Sequence, residues 1–126
     1  MVGLLLVGTG GFVGSVLRYL VSVWVHGILD SPWFPYGTLV VNATGSFVIG
    51  FLAGLVEARE LFSAQARLFL FVGILGGYTT FSSFALETFN LARNPQAVWA
   101  VMNIAAQLLL GLMAVWLGHV LARAVW

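Results

Sequence analysis

Along this 126-residue chain the charged positions come in clusters and the apolar ones in long unbroken runs. Residues 1–17, 31–56, 68–86 and 94–122 carry no charged side chain, leaving free runs of 17, 26, 19 and 29 residues. A helix needs about 20 apolar residues to cross the hydrocarbon core of a bilayer. The pattern therefore predicts four helical spans, roughly 3–26, 36–57, 65–92 and 96–122, joined by short connections into a single domain. Asp30-Ser31-Pro32 and Pro35 punctuate the first connection, Glu57-Ala58-Arg59-Glu60 the second and Arg93-Asn94-Pro95 the third. Pro35 and Pro95 fall where a helix start tolerates a missing N–H. Trp24, Trp33, Tyr36, Trp99 and Trp126 lie near span ends, as in an interfacial aromatic belt.

Composition turns this pattern into a class. The chain is 61% hydrophobic and only 7% charged, against about 25% charged in a soluble domain. Too few charges exist to cover a compact soluble surface, so the expected fold is an all-α membrane protein lodged in a lipid bilayer. There is no cysteine, which removes disulfides and thiolate chemistry. His26 and His119 lie near opposite ends, and no His/Asp/Glu cluster has metal-ligand spacing. A net charge of +1 with five arginines and no lysine argues against nucleic acid as a partner. The start, Met1-Val2-Gly3-Leu4, lacks the positive region of a signal peptide, so the first run reads as a retained span.

Orientation is weakly specified. Arg59, Arg67 and Arg123 fall on one side of a four-span plan, Arg93 and Arg18 on the other. So slight a bias is compatible with insertion either way up, and hence with an antiparallel dimer, or with a single topology set by one arginine. Four spans also leave little interior, so a pore calls for a second copy. Gly10/Gly14, Gly50/Gly54 and Gly73/Gly77 have the GxxxG spacing of candidate close-packing faces.

Polar groups inside a bilayer are expensive and usually functional. In the first span Gly11, Ser15, Arg18 and Ser22 recur every three or four residues along one stripe. Two readings of Arg18 stand: its side chain snorkels to the headgroups, or it faces an aqueous vestibule and favours an anion. In the second span Thr38, Asn42 and Ser46 share a face, and in the fourth Asn103 and Gln107 are four apart. Asn42 serves either as interhelical glue or as a donor to a permeating ion.

The third span holds the densest signal, Gly76-Gly77-Tyr78-Thr79-Thr80-Phe81-Ser82-Ser83-Phe84-Ala85-Leu86-Glu87. A Gly-Gly pair followed by two β-branched residues weakens a continuous helix and predicts a local break. Broken backbone at membrane depth must line a cavity or be satisfied by protein or an ion. Freed carbonyls suit Na⁺, and freed N–H groups suit an anion. Beyond the break Thr80, Ser83, Phe84 and Glu87 fall on one face, with Phe81 at its edge. The rings pack against lipid or accompany an anion with their positive edges. Glu87 is a transport group, or a carboxyl held protonated or hydrogen-bonded near the span end.

Gly10-Gly11-x-x-Gly14-x-x-x-Arg18-Tyr19, Gly37-Thr38-x-x-Val41-Asn42 and Gly76-Gly77-Tyr78-Thr79-Thr80-Phe81-Ser82-Ser83-Phe84-x-x-Glu87 resemble, in that order, the signatures of the Fluc (CrcB) fluoride channels. The resemblance covers essentially the whole chain, and the third motif is the specific one. It implies a dual-topology antiparallel homodimer with two pores that passively exports fluoride from the cytoplasm, in the inner (plasma) membrane of a prokaryote. It places Phe81 and Phe84 on the pore wall, Asn42 in contact with fluoride and Arg18 at the vestibule. Thr80, Ser83 and Glu87 would form a polar track, with Thr38 and Gln107 as further pore candidates. The main-chain carbonyls of Gly76 and Thr79, from both subunits, would hold a structural Na⁺. One departure stands out: Gln107 and Gly111 occupy positions where well-known members carry serine.

Other classes fare worse. A small multidrug resistance type exporter, the alternative function, is similar in size but needs a carboxylate in its first span, where this chain has Arg18 and no acid. A non-transporting scaffold would leave every motif unused. An enzyme lacks any assembled nucleophile and base.

Overall fold

The computed structural model describes every residue except Ser31, Pro32, Glu60, Asn94, Gln96 and Trp126, and of Arg59 the backbone alone. The punctuation expected at Ser31-Pro32, Glu60 and Asn94 and the belt position of Trp126 thus lie outside the described residues. Helix α1 runs Val2–Leu29, and Asp30 stops it in the left-handed conformation at φ 39°. Helix α2 runs Tyr36–Arg59 and starts directly after Pro35. The third span is composite: α3 (Ala64–Arg67), a π-helical segment (Leu68–Leu75), α4 (Gly76–Tyr78) and α5 (Phe81–Ala92). Helix α6 runs Val98–Val125 and begins three residues after Pro95, which lies in a turn rather than at the helix start.

Among the described residues four helical stretches, Val2–Leu29, Tyr36–Ala58, Ala64–Ala92 and Val98–Val125, are long and apolar enough to cross a membrane. They bury little against one another: in three of the four, only 11% of the most apolar stretch is buried. Lipid or another protein must cover the rest, because apolar side chains such as Leu4, Phe12, Trp24, Leu112 and Trp116 are more than half exposed.

What holds the helices together is close backbone approach. Lipid tails are as apolar as leucine, so burying leucine gives no net drive, and packing of small residues takes over. Gly10 and Gly14 of α1 meet the third span: a Cβ on Gly10 would lie 2.9 Å from Gly73 Cα, and one on Gly14 would strike the Ile74 carbonyl. A Cβ on Gly77 would lie 2.6 Å from the Gly11 carbonyl oxygen. In the second pair Gly50 lies against Val115, Gly54 against His119 and Ala122, and Gly118 against Phe47. The glycine faces that the sequence offered as candidates for close packing are therefore used within the chain. They join the first span to the third and the second to the fourth. Each pair is parallel, since the chain reverses direction at every connection.

An aromatic cluster ties the first connection to α6. Trp33 and Trp99 approach to 4.4 Å between centroids, and Phe34, which is buried, packs on Tyr36 at 4.7 Å. Trp33, Tyr36 and Trp99, expected near span ends as in an interfacial belt, are joined here through Phe34 into one cluster.

The break in the third span falls at Thr79 and Thr80, both extended, at φ −80°, ψ 157° and φ −149°, ψ 121°. Gly76 and Gly77 stay helical, so the β-branched pair carries the interruption. The π-helical segment before it was not expected. Leu68–Leu75 is apolar on every side, and such a run has no polar face by which sequence could register a change of helix type.

Candidate functional site

The extended conformation of Thr80 creates the centre of the site. In an extended residue the N–H and C=O point to the same side, so one side-chain amide can dock against both, as a neighbouring strand would. Asn42 of α2 does so: Thr80 N–H donates to Asn42 Oδ1 at 2.9 Å, and Asn42 Nδ2 donates to the Thr80 carbonyl at 3.0 Å. Asn42 Nδ2 also donates to Gln107 Oε1 of α6 at 3.1 Å. Three spans thus meet at one amide. The Thr80 hydroxyl caps α5, accepting from Ser83 N–H at 3.2 Å and donating to Ser83 Oγ at 3.1 Å.

Two cavities meet at Thr80. One, about 390 Å³, is lined by Asn42, Ser46, Phe71, Thr79, Thr80, Phe81, Phe84 and Gln107, among others. The Phe81 and Phe84 rings stand 5.5 Å apart at 62°, edge toward face, and Phe81 is 78% exposed in the single chain. The other cavity, about 320 Å³, is lined by Ser15, Arg18, Tyr19, Ser22, Thr38, Val41, Thr80, Ser83 and Glu87. The polar stripe of α1 therefore faces the polar track of α5.

Arg18 and Glu87 share the second cavity without forming an ion pair; among the described residues the one contact between a basic and an acidic side chain is His119–Glu57, 3.6 Å apart at the far ends of α2 and α6. Arg18 instead reaches the Thr79 carbonyl, Nη1 to O 3.5 Å, so it points inward. Glu87 Oε1 accepts from the Thr38 hydroxyl at 2.6 Å, while Glu87 Oε2 is buried without a partner. Removing that hydroxyl leaves both carboxyl oxygens bare. Thr38→Val is expected to lower stability by about 1 kcal/mol, read as an earlier midpoint in an SDS unfolding titration of the purified protein.

The structure brings Asn42, Thr80, Gln107, Phe81 and Phe84 into one neighbourhood, and Arg18, Thr38, Ser83 and Glu87 into the adjoining one. Gly76 and Thr79 lie at the end of the first half-span. Because Asn42 takes the Thr80 N–H, the donor four residues beyond the Gly76 carbonyl is diverted, and the Thr79 carbonyl has the long Arg18 contact. Such freed carbonyls have the chemistry of hard-cation ligands. Among the described residues no three His, Asp or Glu side chains gather as a metal site.

Three partnerships escaped the sequence. The Tyr78 hydroxyl lies 2.8 Å from Thr44 Oγ1 and braces α4 against α2. Asn103, fully buried, donates to Thr88 Oγ1 at 2.9 Å. The His26 ring sits where a side chain on Gly37 would have to go, and its Nδ1–H donates to the Ser22 carbonyl at 2.7 Å. The three-to-four-residue spacing of Ser22 and His26 was a usable signal; for Tyr78 and Asn103 only the partner helix supplies the meaning.

The family model described as CrcB-like protein, Camphor Resistance (CrcB), matches residues 5–119. A "Fluoride-specific ion channel FluC" of Rhizobium meliloti (strain 1021) is 48% identical over 121 residues, covering 96% of this chain and 96% of that protein. A protein of the same name from Agrobacterium fabrum (strain C58) is 47% identical and covers 98% of each chain. "Fluoride-specific ion channel FluC 1" of Methanosarcina acetivorans is 44% identical over 97% of this chain and 92% of its own. Matched by the family model over most of its length and by these relatives almost from end to end, the chain belongs to the CrcB family.

Proposed function

We propose that this protein is a passive, fluoride-selective channel. The observation that carries the reading is the pair of cavities meeting at Thr80, one with an inward-reaching arginine and the other walled by crossed aromatic rings and side-chain amides. Arg18 raises the local anion concentration at the entrance. Neutral hydroxyls and ring edges then replace part of the hydration shell without a fixed cation that would trap the ion. The names of the relatives support fluoride as that anion.

The finer reading concerns assembly and lining. Phe81, Phe84, Asn42, Thr80 and Ser83 line the route, with Arg18, Thr38 and Glu87 at its vestibule and Gln107 beside Asn42. Two copies in antiparallel orientation form the working unit, in the inner membrane of a prokaryote. The exposure of Phe81 supports this, since a pore wall cannot end in lipid. The Gly76 and Thr79 carbonyls of both copies would hold Na⁺ at their junction; one chain offers too few ligands to do so alone. Bound there, the ion would neutralise the carbonyl dipoles freed by the break.

Liposomes loaded with fluoride and containing the purified protein are expected to release it with no imposed proton gradient, and to retain chloride. Equal chloride flux, or flux that requires a pH gradient, would overturn the reading. The second of those outcomes is the one a proton-coupled exporter requires.

A further inference from the structure

The two amides on the wall of the aromatic cavity are oriented by a single obligate donor. A backbone N–H can only donate, and that of Thr80 meets Asn42 Oδ1. This fixes the Asn42 amide: its Nδ2 faces the other way, and its two protons go to the Thr80 carbonyl and to Gln107 Oε1. A flipped Asn42 would set oxygen against oxygen and N–H against N–H at Thr80. Gln107 must in turn present its oxygen to Asn42, so its NH₂ lies on the other side. That nitrogen is buried and has no hydrogen-bond partner.

Two hydroxyls of the wall are already spent as donors. The Thr79 hydroxyl donates to the Leu75 carbonyl at 2.9 Å, and the Thr80 hydroxyl to Ser83. Among the described residues no acidic side chain lines this cavity to accept the two amide protons. A buried NH₂ group with no acceptor is a cost unless something supplies one. In a cavity flanked by Phe81 and Phe84, an anion is such an acceptor and a cation is not.

We infer that Gln107 Nε2 is an anion-binding donor of this cavity, and that Asn42 is the positioning residue that orients it. The order set at the broken backbone passes through two side-chain amides to the ion. This rests on the anion-channel reading above and adds an atom to it. It also gives a role to the glutamine that stands where the resembling family carries serine.

The test uses the full chain in liposomes, with fluoride efflux as the readout and folded, monodisperse protein as the condition for entry. Gln107→Met keeps the length of the side chain and removes donor and acceptor. Gln107→Glu keeps an oxygen for Asn42 and loses the NH₂. Both are expected to lower fluoride flux about tenfold or more at neutral pH, the size expected for a lost hydrogen bond to a charged group. Flux in Gln107→Met within about twofold of wild type would overturn the inference. Loss in Gln107→Met with normal flux in Gln107→Glu would also overturn it, leaving Gln107 as a mere acceptor for Asn42. Should either variant fail to fold, Gln107→Ser, which retains one shorter donor, is expected to conduct with half-saturation at a higher fluoride concentration; unchanged half-saturation overturns the inference. If the wild type itself carries no fluoride, the channel reading fails before this question arises.

Discussion

Phe81→Ile and Phe84→Ile are each expected to abolish fluoride efflux while leaving the protein folded. The rings cross at 62° with centroids 5.5 Å apart. Both rings line the cavity, and a ring's edge, where C–H dipoles leave partial positive charge, is the part that can attract an anion. Isoleucine fills a similar volume and stays apolar but has no quadrupole, so an anion crossing this point would shed water and receive nothing. Removing one preorganised electrostatic donor from a dry site costs about a hundredfold or more in a rate, and a comparable loss of flux is expected here. Phe81 is largely exposed and Phe84 half-buried in the chain, so neither substitution opens a large core cavity. The check is fluoride efflux from liposomes alongside gel filtration. Normal flux in both variants would return the rings to ordinary packing, and loss of the folded species would leave the flux result without bearing on the ion.

The second large effect concerns architecture. Gly14→Ala is expected to destabilise the protein by about 3 kcal/mol or more, whereas Gly8→Ala on the same helix is expected to be neutral or slightly stabilising. A Cβ on Gly14 would strike the Ile74 carbonyl and lie 2.8 Å from Tyr78 N. Both are backbone atoms that no rotamer change can move. Helix α1 would have to separate from the third span immediately before the break at Thr79 and Thr80, disturbing the bracket that Asn42 makes there. Gly8 has nothing within 4 Å, so alanine meets open space and gains helix propensity. SDS unfolding titrations of the two variants provide the comparison; equal midpoints would mean that the glycine contact does not hold the first span to the third.

Arg18 and Glu87 illustrate how such a site can hold charge. They line one cavity, yet Arg18 reaches a backbone carbonyl and Glu87 accepts from Thr38. Because they form no direct pair, the channel reading can assign the arginine's field to an anion. A direct pair would have cancelled it.

Much of this was legible in the sequence for a definite reason. The cost of charge in lipid is so large that all the charged residues except Arg18 and Glu87 gather near the ends of the four spans. The expected third span, 65–92, compares with Ala64–Ala92, and the expected second, 36–57, with Tyr36–Ala58. The break was legible because β-branched residues after two glycines disfavour a helix locally, and local preference needs no partner to act. Helical periodicity also placed Thr38, Asn42 and Ser46 on a common face, and Ser15, Arg18 and Ser22 on another.

Tertiary structure decided what each face meets. GxxxG spacing is the same whether its partner lies in the same chain or another, and only the fold pairs the first span with the third and the second with the fourth. The π-helical turn of Leu68–Leu75 depends on a register that an all-apolar run does not encode. Asn42 and Gln107 are merely polar in sequence. Their orientation follows from a backbone N–H that the break exposes 38 residues away from Asn42, through a bond that exists only once two spans are packed. Composition and period thus determined that the chain lives in a membrane, where it crosses and where it breaks, because those depend on solvent and local backbone energy. Which donors are spent and which are left without a partner depends on three-dimensional contact, which only the fold supplies.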